Sequence, residues 1–269
     1  MVHVSCLTYN YRIHPFESAG RVSDLFNGRS RSIVIQIASI SFFRFPPGLS
    51  RVWALGMMGA ARLSLPKVPG IGFWKLCGSG TEEGFTPVPN TAVYAILATW
   101  PDAETARHQT RAAPIFRRYQ NRSTESWTVF LAPVSARGAW SGTVPFDASG
   151  EMPDGPLAAL TRATVRPLKA LRFWQRVPDI SAVIGDDPNV AFKIGIGEVP
   201  LLHQVTFSIW PDRASMAAFA RTDGPHARAI DAVRDGDWFR EELYARFRIL
   251  GDHGTWNGQS PLAKLDTRP

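Results

Sequence analysis

An α+β fold in which one β-α-β-β-α-β unit occurs twice is what the sequence predicts, on three observations. Trp100-Pro101-Asp102 returns as Trp210-Pro211-Asp212. Other landmarks keep nearly the same separation of about 110 residues: Val68-Pro69 with Val177-Pro178, Pro89 with Pro200, Pro114 with Pro225, and Gly138-Ala139-Trp140-Ser141-Gly142 with Gly254-Thr255-Trp256-Asn257-Gly258. Each Trp-Pro-Asp also ends an apolar, proline-bounded ten-residue run, Thr91–Trp100 and Leu201–Trp210, which is the composition of a buried strand.

The elements follow in chain order. Residues 1–32 carry no sustained period and include Asn27-Gly28-Arg29-Ser30-Arg31-Ser32, so they read as a disordered extension, with translation expected to begin near Val34. Residues 33–146 form the first unit, 157–269 the second, and the Gly-, Pro- and acid-rich stretch 147–156 the linker. Within each unit proline stops the pre-Trp strand and aspartate caps the helix that follows. The helices break near Pro114 and at Gly224-Pro225, where proline can open a second segment. Ser126–Pro133 and Glu242–Leu250 read as closing strands, and Gly78-Ser79-Gly80 with Gly84 as a turn. This order is that of two fused ferredoxin-like units, with two sheets expected face to face in a dimeric-α+β-barrel-like domain.

Composition narrows the function. The chain has 269 residues, 45% of them hydrophobic and 20% charged, which is a globular balance. Two cysteines without a CxxC exclude a disulfide scaffold and a thiolate zinc cluster. The longest apolar stretch, Ile33–Phe43, is short and interrupted by Gln36, Ser39 and Ser41, so no membrane-spanning helix is expected. A cytoplasmic protein follows. The net charge is +7, but four arginines against Glu17 and Asp24 place +2 of it in the extension and leave +5 elsewhere. That remainder is scattered arginine, and Arg117-Arg118-Tyr119 is too short for a binding stripe, so nucleic acid is not expected as a partner. No dinucleotide fingerprint, Walker loop, nucleophile elbow or H-E-x-x-H occurs.

The histidines offer the chemistry. His108 falls on a solvated helix face and His253 in a turn. His226 follows Gly224-Pro225 at a helix start, and helical spacing puts it on one face with Ile230 and Val233. The first unit carries Ile115 there, so the imidazole is an addition to a site that an apolar residue satisfies. It reads either as a metal ligand, able to hold haem iron from one side, or as a core histidine bonded to a carbonyl. His203 is the rival: period two places it with Val205, Phe207 and Ile209, matching Val93. Tyr244, Arg246 and Arg248 form a polar row on the last strand that can meet a haem propionate or solvent. Sixteen Phe and nine Trp supply either core or an apolar ligand channel.

Several blocks resemble one family. Phe42-Phe43-Arg44-Phe45, Gly72-Phe73-Trp74-Lys75-Leu76-Cys77-Gly78-Ser79-Gly80, Ala95-Ile96-Leu97-Ala98-Thr99-Trp100-Pro101-Asp102, Glu125-Ser126-Trp127-Thr128-Val129-Phe130 and Trp238-Phe239-Arg240-Glu241-Glu242-Leu243-Tyr244 are similar to spheroidene monooxygenase, the acyclic carotenoid 2-ketolase of purple photosynthetic bacteria. The resemblance runs from about Ile35 to Gly258. It implies a haem-dependent monooxygenase that takes dioxygen and electrons from a ferredoxin-type donor. Two successive hydroxylations at C2 of spheroidene would give spheroidenone. It also implies peripheral contact with the photosynthetic membrane, with an apolar entrance expected near Val52–Leu63. The family pattern assigns no iron ligand here, so His226 and Arg246 rest on the periodicity argument. The alternatives are a non-catalytic haem- or apolar-ligand-binding protein and a cofactor-free monooxygenase on the same fold.

Overall fold

The computed structural model describes residues 35–148, 151–170, 174, 190–221 and 238–266, and Ile35–Pro269 forms one compact unit. The extension 1–32 and His226 lie outside the described residues. The first half runs β1 (Ile37–Arg44), α1 (Leu49–Ala60), β2 (Trp74–Gly80), β3 (Pro89–Trp100), α2 (Ala103–Ala112), α3 (Pro114–Arg122) and β4 (Glu125–Gly138). The second runs β5 (Leu157–Val165), β6 (Phe192–Gly197), β7 (His203–Trp210), α4 (Arg213–Arg221), β8 (Phe239–Gly254) and a final turn of helix, Ala263–Asp266.

The Trp-Pro-Asp repeats act as expected. Asp102 accepts from the Thr105 amide at 2.7 Å and Asp212 from the Ser215 amide at 2.7 Å, which caps α2 and α4. Pro114 stands at the first turn of α3. The closing strands are longer than expected because β4 and β8 pair with each other from Trp127↔Gly254 to Gly138↔Leu243.

That pairing bears out the expected barrel-like domain and joins the two facing sheets at their edges. All eight strands close into one antiparallel barrel in the order β1-β3-β2-β6-β7-β5-β8-β4. The two four-stranded sheets therefore meet at both edges, which leaves no exposed strand edge. The second seam, β2 to β6, is short, with only Gly78↔Gly197 and Ser79↔Ile196 paired. Gly78-Ser79-Gly80 is accordingly the end of a strand and not a turn. The chain can close there because Gly84 and Gly195 touch backbone to backbone; a Cβ on Gly84 would stand 1.7 Å from the Gly195 carbonyl oxygen.

Inward side chains fill the barrel. Ile40, Phe42, Leu97, Val129, Leu160 and Phe207 are all at most 1% exposed and belong to one core. Trp140 and Trp256 join it from equivalent tight turns, whose central residues Ser141-Gly142 and Asn257-Gly258 all have positive φ. Each turn is held by a carboxylate of the other half: Gly142 donates to Glu241 at 2.7 Å and Gly258 to Glu125 at 2.7 Å. Outside the barrel, Phe43, Tyr94, Ile96 and Phe130 are buried beneath α1, α2 and α3.

Candidate functional site

Strand register aligns the two halves residue by residue. Phe42 pairs with Ala95 and Trp127, as Arg162 pairs with Val205 and Leu243. The same correspondence matches outward-facing Phe43, Tyr94, Ile96 and Phe130 with Ala163, Gln204, Thr206 and Arg246. Four bulky side chains that anchor helices in the first half thus become small or polar ones in the second. Thr161, at the centre of this outer face, is exposed, as is Tyr244 at 41%. Around Thr161 this face carries small or polar side chains where the first half carries helix-anchoring bulk, while its far end is covered by the Leu157, Trp210 and Met216 cluster.

Arg246 borders that face and is half-buried. Burial, with the Arg213 charge nearby, pulls its guanidinium below the ordinary range. Among the described residues it has no carboxylate partner, so an anionic ligand edge would relieve an existing cost. Arg248 follows on the same face and is exposed.

His203 points the other way. It begins β7 on the inward side with Val205 and Phe207, at one mouth of the barrel. A polar cluster that the sequence reading missed occupies this mouth. Glu198 accepts from Trp140 Nε1 at 2.6 Å and pairs with Lys75 at 2.9 Å; His203 Nδ1 lies 3.6 Å away, beyond hydrogen-bond length. Arg162, 1% exposed, is paired with Glu241 and lies 5.7 Å from the Trp140 ring centroid, while its Nε has no partner among the described residues. The available signal was Arg162 itself, an ionic residue in the inward row of Ala158 and Leu160. Burial and the Glu198 charge push the neighbouring Cys77 thiol far above the usual range, so it is neither nucleophile nor ready metal ligand.

The placement of His203 has a measurable consequence. Burial lowers its pKa, against the opposing pull of Glu198. Its unfolded value is near ~6.5, so below that pH the unfolded chain binds the proton more readily. Folding stability from urea titrations should rise with pH between the lowered folded value and about 6.5, and His203→Gln should reduce that slope. His253, exposed and lowered by burial and Arg111, leaves a residual slope. It lies within β8, opposite Thr128, and not in the expected turn. His108 is exposed on α2, and no cluster of three metal-ligating side chains occurs among the described residues.

No protein-family model matches the chain. Whole-chain relatives do. A spheroidene monooxygenase of Cereibacter sphaeroides is 52% identical over 238 residues, covering 87% of this chain and 74% of that one. A spheroidene monooxygenase of Rhodobacter capsulatus is 51% identical over 230 residues, covering 84% and 95%. Among solved structures, an aldoxime dehydratase in complex with butyraldoxime shares the fold, at 11% identity, with a TM-score of 0.60 and 89% and 88% coverage. Relatives identical at half of their aligned positions across most of the chain decide the assignment: this chain belongs to the spheroidene monooxygenase family.

Proposed function

We propose that this chain oxidises C2 of an acyclic carotenoid, converting spheroidene to spheroidenone, with haem as its cofactor. The substrate follows from the relatives' activity. The observation that carries the cofactor is the outer face of the second half-sheet, cleared of the bulk that Phe43, Tyr94, Ile96 and Phe130 supply in the first. Haem, when bound, supplies dioxygen activation with two external electrons from a ferredoxin-type donor. Thr161 and Thr206 leave room for its plane, and Arg246 binds a propionate by a charge-assisted hydrogen bond. His226 is the iron ligand by its helical period. His203 and Arg246 lie on opposite faces of one sheet, which favours His226 over His203. The half-burial of Arg246 strengthens that contact.

The oxidation balances in two rounds. In each, one oxygen atom of dioxygen enters a C–H bond at C2, and the other leaves as water with two electrons and two protons. The second round gives a geminal diol, which loses water to the ketone. The substrate is too apolar to cross water, so delivery is from a membrane surface. The test is spheroidene in vesicles with haem-loaded protein, dioxygen and reduced ferredoxin. The expected product has one oxygen in place of two hydrogens, and none forms without dioxygen. A haem-loaded protein that yields no oxidised carotenoid would favour the binding-protein reading.

A further inference from the structure

Helix α1, Leu49-Ser-Arg-Val-Trp-Ala-Leu-Gly-Met-Met-Gly-Ala60, is apolar almost all round. Such helices are ordinarily enclosed on every side. Here only one side is: Ala54 and Met57 pack on the barrel, and Trp53 meets Tyr119 edge to face with ring centroids 5.3 Å apart. The opposite side presents Leu49, Val52 and Leu55, with Leu63 just beyond, at 85, 67, 61 and 75% exposure. Their spacing makes one ridge about 9 Å long on the first half of a twelve-residue helix. No described helix is long and apolar enough to cross a membrane, so the ridge can only lie on a surface.

The charge that the segment itself carries has one sign. No aspartate or glutamate occurs from residue 45 to 81, whereas Arg51, Arg62 and Lys67 do. Arg122 of α3 extends the border, with its guanidinium 4.8 Å from the Trp53 ring centroid. Arg51 donates to the Phe45 carbonyl ahead of the helix at 3.4 Å and Arg62 to the Met58 carbonyl within it at 3.0 Å, which holds both charges close to the helix. An apolar ridge with a basic border complements anionic lipid: the leucines enter the acyl boundary while arginines meet the phosphates.

We propose that the α1 ridge docks the protein on an anionic bilayer surface. This names the membrane partner of the proposed carotenoid oxidation and rests on that reading only for its purpose, since vesicle binding is scored without turnover. Full-length protein is sedimented with phosphatidylcholine vesicles with and without phosphatidylglycerol. Binding is expected to the mixed vesicles and to weaken with salt. Leu49→Glu/Val52→Glu/Leu55→Glu should lower partitioning about 100-fold. Arg51→Gln/Arg62→Gln should lower it about fivefold per arginine, on anionic vesicles only. These side chains are exposed or peripheral, so circular dichroism and the melting temperature should stay unchanged. Leu168→Glu, at a side chain 97% exposed in the second half, should leave binding intact. The proposal is overturned if the wild-type protein ignores anionic vesicles, or if the triple variant binds as the wild type does. It is equally overturned if the wild type is a dimer that the triple variant splits, because a second copy would then occupy the ridge.

Discussion

Glu241→Ala is expected to destabilise the fold by about 3–5 kcal/mol, whereas Glu125→Ala, its counterpart in the other half, should cost about 1–2 kcal/mol. Both carboxylates hold the tight turn of the opposite half and pair with an arginine. The difference is burial. The Arg44 side chain is 36% exposed and also donates to Asn257, so water and a second partner take over when Glu125 is removed. The Arg162 side chain is 1% exposed and would be left as an uncompensated charge inside the barrel. Burial opposes ionisation of Glu241, but the Gly142 and Ser141 amides and Arg162 outweigh it and hold its carboxyl below the usual range. Its contribution is therefore complete above the unfolded value of about 4.3 and is lost as pH falls through the folded value. Urea titrations at neutral pH check both numbers. Arg162→Met combined with Glu241→Met should recover most of the loss, since a well-packed apolar pair needs no compensation. Equal losses at Glu125 and Glu241 would contradict the asymmetry.

Thr161→Trp should fold with an unchanged melting temperature and lose haem occupancy by more than about tenfold. Thr161 is exposed between Thr206 and Tyr244, so an indole there disturbs no core contact but fills the space that the proposed haem would take. The equivalent first-half residue, Ser41, is fully buried and offers no such space. Arg246→Leu should weaken occupancy less, because it removes one charge-assisted contact and leaves the face open. Haem content per protein, from the pyridine haemochrome spectrum, measures both. A Thr161→Trp protein with full haem would place the cofactor elsewhere.

Much of the fold was legible because local chemistry repeats. Trp-Pro-Asp ends a strand and caps a helix through contacts within four residues, and Pro114 opens a helix by its fixed φ. A barrel-like domain was legible from the two fused units, but the place of its second seam was not, since it depends on Gly84 meeting Gly195, more than a hundred residues on, and such a glycine reads locally as a turn residue. The opposed faces of His203 and Arg246 were available from period-two alternation. The contrast between Phe43 and Ala163 needed the register, because the offset between halves differs from strand to strand. The Glu198 cluster at the barrel mouth escaped for a similar reason: Lys75, Trp140, Glu198 and His203 come from four separate segments.

The most direct measurement is the visible spectrum of the full-length protein beside those of His226→Ala and His203→Ala. A haem-dependent oxygenase ligated through His226 should show a Soret band that is abolished or shifted in His226→Ala and retained in His203→Ala. A protein that takes up no haem on reconstitution, or a Soret band indifferent to His226→Ala, would contradict the account.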